Sequence, residues 1–159
     1  MSEIKYTPLL DLIYTYQDNV ETIQNEYLLL LSELTSTTYI ETSLFLENIE
    51  KIHQMGKIIV GVINNQFING IEIVASGTII IEPKIIRDGK NVGHIEDIVV
   101  AKHMRGKGIS QQILHILKTI ARENNCYKVI LDCDNEVKNV YTKNGFDVKG
   151  IQMAEYFVS

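Results

Sequence analysis

Tryptophan is absent from this chain of 159 residues, and proline and cysteine occur only twice each. Two cysteines, Cys126 and Cys133, are too few for a disulfide framework and fit a reducing compartment. With no repeat, low-complexity tract or Pro/Gly/Ser linker, a single domain over residues 1–159 is expected. No apolar run approaches the ~20 residues that span a bilayer. The longest, such as "YLLLL" and "IIVGVI", stop well short. The start, "MSEIKYTPLL", lacks the basic flank and long apolar core of a signal peptide, so a cytoplasmic location is the expectation. Positive charge is also scarce. Lys and Arg number 15 against 20 acids, a net −5, which argues against general nucleic-acid binding and leaves room only for a local basic site. The cysteines and the four histidines show no ligand spacing, so no metal is expected. No Ser-His-Asp or Cys-His signature appears either.

What the chain does contain is a sequence of changing hydrophobic periods. Residues 4–14 read as an opening strand that leads into a loop. Val20, Ile23, Tyr27, Leu30 and Leu34 then recur at helical spacing, as do Phe45, Ile49 and Ile52, with the polar break "TSTT" (35–38) between the two helices. "KIIVGVI" (57–63) and "IEIVASGTIII" (71–81) are β-branched runs, and Asn69-Gly70 between them fits a hairpin. "HIEDIVV" (94–100) is a third such run. Helical spacing returns through Ile109, Ile113, Ile116, Leu117 and Ile120. A compact strand (127–133), a weaker helix (135–144) and a last strand, "IQMAEYFV", complete the order. The expected class is α/β, a mixed sheet with helices on its faces.

Three stretches carry chemistry. In "HIEDIVV", strand alternation would send Glu96 and Asp97 to opposite faces, which excludes a facing carboxylate pair of the glycosidase type. An acid inside an apolar strand must nevertheless meet a partner or shift its pKa. The loop "RGKGIS" follows a strand and opens a helix. Its first-turn N–H groups, the helix dipole, Arg105 and Lys107 together make an anion site suited to a pyrophosphate. It is neither a Walker loop nor a dinucleotide fingerprint, because the required Ser/Thr and third Gly are missing. In "LDCDNEVKNVYTKNGF" (131–146), Tyr141 precedes a helix-ending Gly145 by four residues, with Phe146 after it.

Together these stretches resemble the GNAT superfamily of acyl-CoA-dependent N-acetyltransferases. "MRGKGIS" supplies Arg105, Gly106 and Gly108 of its glycine-loop hallmark, and "YTKNGF" matches its second signature. Within the superfamily, "GHIEDIVV", "NNCYKVILDCD" and "VYTKNGFDVKGIQM" look most like the branch that acetylates glucosamine 6-phosphate on the way to UDP-N-acetylglucosamine. The similarity is dense from about Ile79 to Met153.

The resemblance implies a twisted mixed sheet in which acetyl-CoA enters between two splayed parallel strands. Ile98, Val99 and Val100 would form the pantetheine edge. Arg105, Gly106, Lys107, Gly108, Ile109, Ser110 and Gln111 would cradle the pyrophosphate. Thr35, the turn Lys84, Ile85, Ile86 and Arg87, and the acids Glu96, Asp97 and Asp132 would hold the sugar phosphate. Glu96, or else Asp132, would be the base, backbone N–H groups near Val99 the oxyanion donors, and Tyr141 the acid for the leaving thiolate. A homodimer with the C-terminal strand crossing to its partner is also implied. Val137 stands where many relatives have Asn, Ser110 replaces a Gly, and "AEYFVS" lacks the Arg common near the end. Another amine (an amino-sugar nucleotide, a small amine or a peptide) and a non-catalytic acetyl-CoA-binding module remain alternatives.

The chemistry sets its own demands. An amine with a pKa near ~8 is already about one-tenth neutral at pH 7, so a weak base suffices. Proton transfer from a phenol near ~10 to a thiolate near ~8.5 is uphill by about 2 kcal/mol. It is tolerable if concerted with collapse, or if the site lowers the phenol's pKa. Direct transfer in a ternary complex needs no cysteine nucleophile.

Overall fold

The computed structural model describes residues 3–64 and 70–158. Asn69 of the expected hairpin lies outside them, while Gly70 is described with φ +88°. A five-stranded sheet, in the order β1-β2-β3-β4-β5, organises the chain. It comprises β1 (Lys5–Pro8), β2 (Gly56–Ile63), β3 (Glu72–Pro83), β4 (Asn91–Val100) and β5 (Cys126–Ile130). The first four are successively antiparallel, and β5 joins β4 in parallel. That parallel pair needs a crossover, and α4 (Ile109–Glu123) supplies it.

The helices cover both faces. α2 (Val20–Leu31) buries Ile23, Tyr27 and Leu30, and α3 (Thr42–Met55) buries Phe45 and Ile49. Both pack on one side of the sheet with Val60, Val74 and Val99. The buried amide of Gln24 fastens the segment between them, donating to the Ile40 carbonyl at 2.7 Å and accepting from the Thr42 hydroxyl at 2.7 Å. On the other side α4 buries Ile109, Ile113, Leu114, Leu117 and Ala121 against Ile79 and Ile95. A helix stripe of this kind is what its 3.6-residue period dictates.

Three expectations require correction. Residues after the opening strand form a helix, α1 (Leu9–Thr15), and not a loop. Leu9, Leu12 and Ile13 recur at i, i+3 and i+4, and all three are buried. At the other end, the segment 151–158 forms no strand. Its apolar residues find no cover among the described residues: Ile151, Met153 and Phe157 remain about nine-tenths exposed, at 92%, 90% and 89%. The weak helix is also shorter than expected, α5 (Lys138–Thr142).

Candidate active site

The β4–β5 ladder ends early. Its last rung pairs His94 with Ile130, yet β4 continues through residues 95–100. β5 itself ends at that rung, and beyond it the β5-facing edge of β4 has no strand partner among the described residues. A cleft of about 1110 Å³ opens there, walled by β4 from Ile95 to Val100 and by Leu131, Asp132 and Cys133 beyond β5.

β4 is also irregular beside this cleft. Ser76 pairs with Val99 and Thr78 with Glu96, so two steps on β3 match three on β4. The extra residue is a bulge, and Asp97 adopts the left-handed conformation there, with φ +53°. A bulge bends its strand and re-aims side chains. Ile95 and Ile98 both pack in the core beneath α4, which regular alternation over three residues would forbid. Gly77 lies opposite, and an added Cβ would come within 2.6 Å of side-chain methyls of both Ile113 and Ile98, so a larger residue would force them to shift.

The bulge overturns the expectation that Glu96 and Asp97 address opposite faces. Both line the cleft. Partial burial holds Glu96 above the usual carboxylate range, the negative charges of Asp97 and Asp132 add to this, and His94 pulls the other way. Asp97 also faces the phenol of Tyr27 on α2. Burial first, then that charge, push this tyrosine up to about 12 against hydroxyl bonds from Ser76 and Thr78. The Ser76 hydroxyl donates to the Tyr27 oxygen at 3.2 Å. The acids therefore stand on a buried floor of hydroxyl groups.

The glycine loop closes one end of the cleft. Gly106 and Gly108 have φ +79° and +75°, conformations open to glycine at little cost. Gly108 is the N-cap of α4, and the first intrahelical bond runs from the Gln112 N–H to the Gly108 carbonyl. The N–H groups of residues 109–111 thus have no intrahelical acceptor and suit an anion. Arg105 is anchored at the cleft edge. Its Nε donates to the Val100 carbonyl at 3.0 Å, and its terminal nitrogen lies 3.8 Å from Glu33. Glu33 also accepts the Lys102 N–H at 2.7 Å, tying the end of α2 to the loop.

Tyr141 stands on α5 at the opposite wall. The C-terminus of this helix turns at Gly145, φ +87°, and the Phe146 N–H bonds back to the Tyr141 carbonyl at 3.1 Å. The two rings meet edge to face, 6.1 Å apart at 83°. Burial raises the Tyr141 phenol above its ordinary value, and the thiol at Cys133 adds to this. The site does not lower the phenol's pKa.

The structure gathers most of the expected residues. Thr35, Glu96, Asp97, Asp132 and Tyr141 share the cleft, with Ile98, Val99 and Val100. Arg105, Gly106, Gly108, Ile109 and Ser110 line it as well. Lys107 does not line the cleft itself; its Nζ lies 3.6 Å from the sulfur of Met104, which does. Gln111 borders a second cavity on the outer side of α4. The turn 84–87 is also elsewhere. It joins β3 to the start of β4, where Pro83 pairs with Asn91. At about 3.4 Å per residue, the six steps from Thr78 to Lys84 put it roughly 20 Å from the rung of Glu96. There Lys84 pairs with Glu82, Ile85 and Ile86 are exposed, and Arg87 lies over the Tyr127 ring. Glu33, Met104, Val140 and Gln152 also line the cleft. Sequence reasoning had passed them over, since only a turn or a chain crossing brings them there.

Residues 23–146 match the model of the acetyltransferase (GNAT) family. Among curated proteins, the glucosamine 6-phosphate N-acetyltransferase of Arabidopsis thaliana is 38% identical over 128 residues, 80% of this chain and 85% of that one. The "Probable glucosamine 6-phosphate N-acetyltransferase 2" of Oryza sativa subsp. japonica is 48% identical over 85 residues, 54% of this chain. The match spans only about half of that rice protein, 51%. The crystal structure of the Arabidopsis enzyme superposes with a TM-score of 0.81 at 31% identity, covering 98% of this chain and 99% of that one.

Proposed function

Because the chain belongs to the acetyltransferase (GNAT) family, we propose that it transfers the acetyl group of acetyl-CoA to the amine of glucosamine 6-phosphate. The observation that carries this reading is the cleft at the β4–β5 splay, which joins an anion-binding loop to a carboxylate cluster. Acetyl-CoA fits one half. The unpartnered edge of β4 can pair with pantetheine amides, and the first-turn donors of α4 suit its pyrophosphate. When bound, it supplies an activated thioester carbon.

The acids form the other half. Glu96, with its raised pKa, is matched to accept a proton from the sugar ammonium, and Asp97 and Asp132 attract that cation. The freed amine attacks the thioester carbon, and β4 backbone N–H groups near Val99 meet the developing oxyanion. As the C–S bond breaks, Tyr141 O–H donates its proton to the departing sulfur, and the second proton lost by the attacking nitrogen as the amide forms returns through solvent to the phenolate. No acyl-enzyme forms, and Cys133 stays a bystander on the wall.

A homodimer belongs to this reading. The exposed Ile151, Met153 and Phe157, and the Ile85–Ile86 turn, are apolar surfaces that a second copy would cover. Lys84 and Arg87 reach a sugar phosphate in this cleft only from such a partner. Incubation with acetyl-CoA and glucosamine 6-phosphate, with the product read by NMR, tests the reading. An N-acetylated sugar phosphate is expected. Turnover on another amine with none on this sugar would refute it.

A further inference from the structure

Three cations gather on the outer side of α4. Lys118 and Arg122 lie four residues apart on that helix and share a face, and Lys143 directly follows α5. All three line a second cavity, of about 660 Å³, which has no lining residue in common with the acyl cleft. No carboxylate lines it, and among the described residues none of the three forms an ion pair. In a chain of net charge −5, rich in acids, this is an unbalanced group. Like charges at i and i+4 repel. Burial, and then the charge of Arg122, hold the Lys118 ammonium below its ordinary pKa.

Contacts hold the cavity in shape. Lys118 donates to the Asn144 carbonyl, and its ammonium lies 4.5 Å from the centre of the Phe146 ring, which fixes it against the turn beside Lys143. At another wall the Tyr6 hydroxyl, on β1, donates to the Gln112 carboxamide oxygen. That leaves the Gln112 amide N–H groups as neutral donors. Gln111 borders the cavity too, and its backbone N–H is one of the first-turn donors assigned above to a pyrophosphate. The two sites therefore adjoin, since seven residues at 1.5 Å rise put Lys118 roughly 10 Å further along α4.

We propose that this cavity is a second phosphate site, in which Lys118, Arg122 and Lys143 hold a phosphate monoester. Two sources carry that group. One is acetyl-CoA itself, whose 3′-phosphate hangs from the ribose on the side of the pyrophosphate away from the thioester; this source rests on the acyl-donor reading above. The other is a free phosphorylated metabolite.

Calorimetric titration of the intact protein with CoA and with 3′-dephospho-CoA, at fixed ionic strength, separates them. If the cofactor is the source, the wild-type protein binds CoA at least about tenfold more tightly than 3′-dephospho-CoA. The double variant Lys118→Gln/Lys143→Gln should then bind both forms alike. Its affinity for 3′-dephospho-CoA should be unchanged, which also shows that it is folded. Arg122→Gln should lose part of the same preference. If a metabolite is the source, the wild-type protein binds both forms alike. Inorganic phosphate should then shift the NMR signals of the backbone amides in 115–122 and 143–144 saturably, and the double variant should abolish those shifts. Equal affinity for the two forms with no such shifts, or a preference for CoA that survives the double variant, overturns the proposal. Failure of either form to bind refutes the acyl-donor reading instead, and the phosphate shifts alone then decide for or against this site.

Discussion

Tyr141→Phe is the most informative single change at the site, because the structure confines its effect to one oxygen. The ring packs edge to face with Phe146, and phenylalanine keeps that contact. The substituted ring still fills the same wall of the cleft, so acetyl-CoA affinity should change less than about twofold. What goes is the proposed proton donor. Positioned acids and bases contribute about 10²–10⁴ in rate. A CoA thiolate, near ~8.5, is a fair leaving group unaided, which favours the lower end of that range. We expect kcat to fall about 10²-fold in a continuous thiol-release assay. Because burial raises the phenol, its ionisation lies above the ordinary ~10, and Tyr141 holds its proton throughout the neutral range. Wild-type kcat should therefore show no basic limb from this residue below about pH 10. A mutant at full rate, or one losing acetyl-CoA affinity and kcat in equal measure, would refute the assignment.

Glu96→Gln should lower kcat by about 10² with the fold intact, and the wild-type acid limb should lie above the ordinary ~4.3 of a glutamate. A limb at or below that value would contradict the raised carboxyl. Gly108→Ala meets no atom within 4 Å, so its cost is conformational, about 1 kcal/mol for a left-handed residue. A melt lower by roughly 2–4 °C and weaker acetyl-CoA binding are expected, and unchanged affinity would separate the loop from the cofactor. Gly56→Ala is harsher. Its Cβ would come within 1.8 Å of the Ile79 carbonyl oxygen, a clash that only a backbone shift can relieve. A loss of at least about 3 kcal/mol is expected, and a wild-type melting curve would contradict the β2–β3 register.

The parts of the fold that were legible in the sequence are those written in a period. α2, α3 and α4 carry an apolar stripe, and the branched runs of β2 to β5 stand out against it. Gly145 marked the end of α5 because a left-handed turn selects glycine. The bulge was not legible. Asp97, a non-glycine at φ +53°, occupies it, and nothing in "HIEDIVV" distinguishes a bulged strand from a regular one. The alternation rule therefore separated two acids that the folded chain brings together. The C-terminal segment failed for a different reason. Its alternating apolar residues look like a strand, but a strand needs a neighbour, and among the described residues none pairs with it. Glu33 shows a third limit. Its bond to the Lys102 N–H joins residues 69 apart, which no local pattern encodes.

The central claim is that the splay between β4 and β5 assembles an acyl donor site and an amino-sugar phosphate site in one cleft. The most direct measurement is kcat/KM with acetyl-CoA for glucosamine 6-phosphate against glucosamine, an amino-sugar nucleotide and a lysine peptide. Glucosamine 6-phosphate should be preferred over each of the others by at least about 10², the discrimination expected when a charged contact is lost. Equal rates on glucosamine with and without its phosphate, or a preference for the peptide, would contradict it.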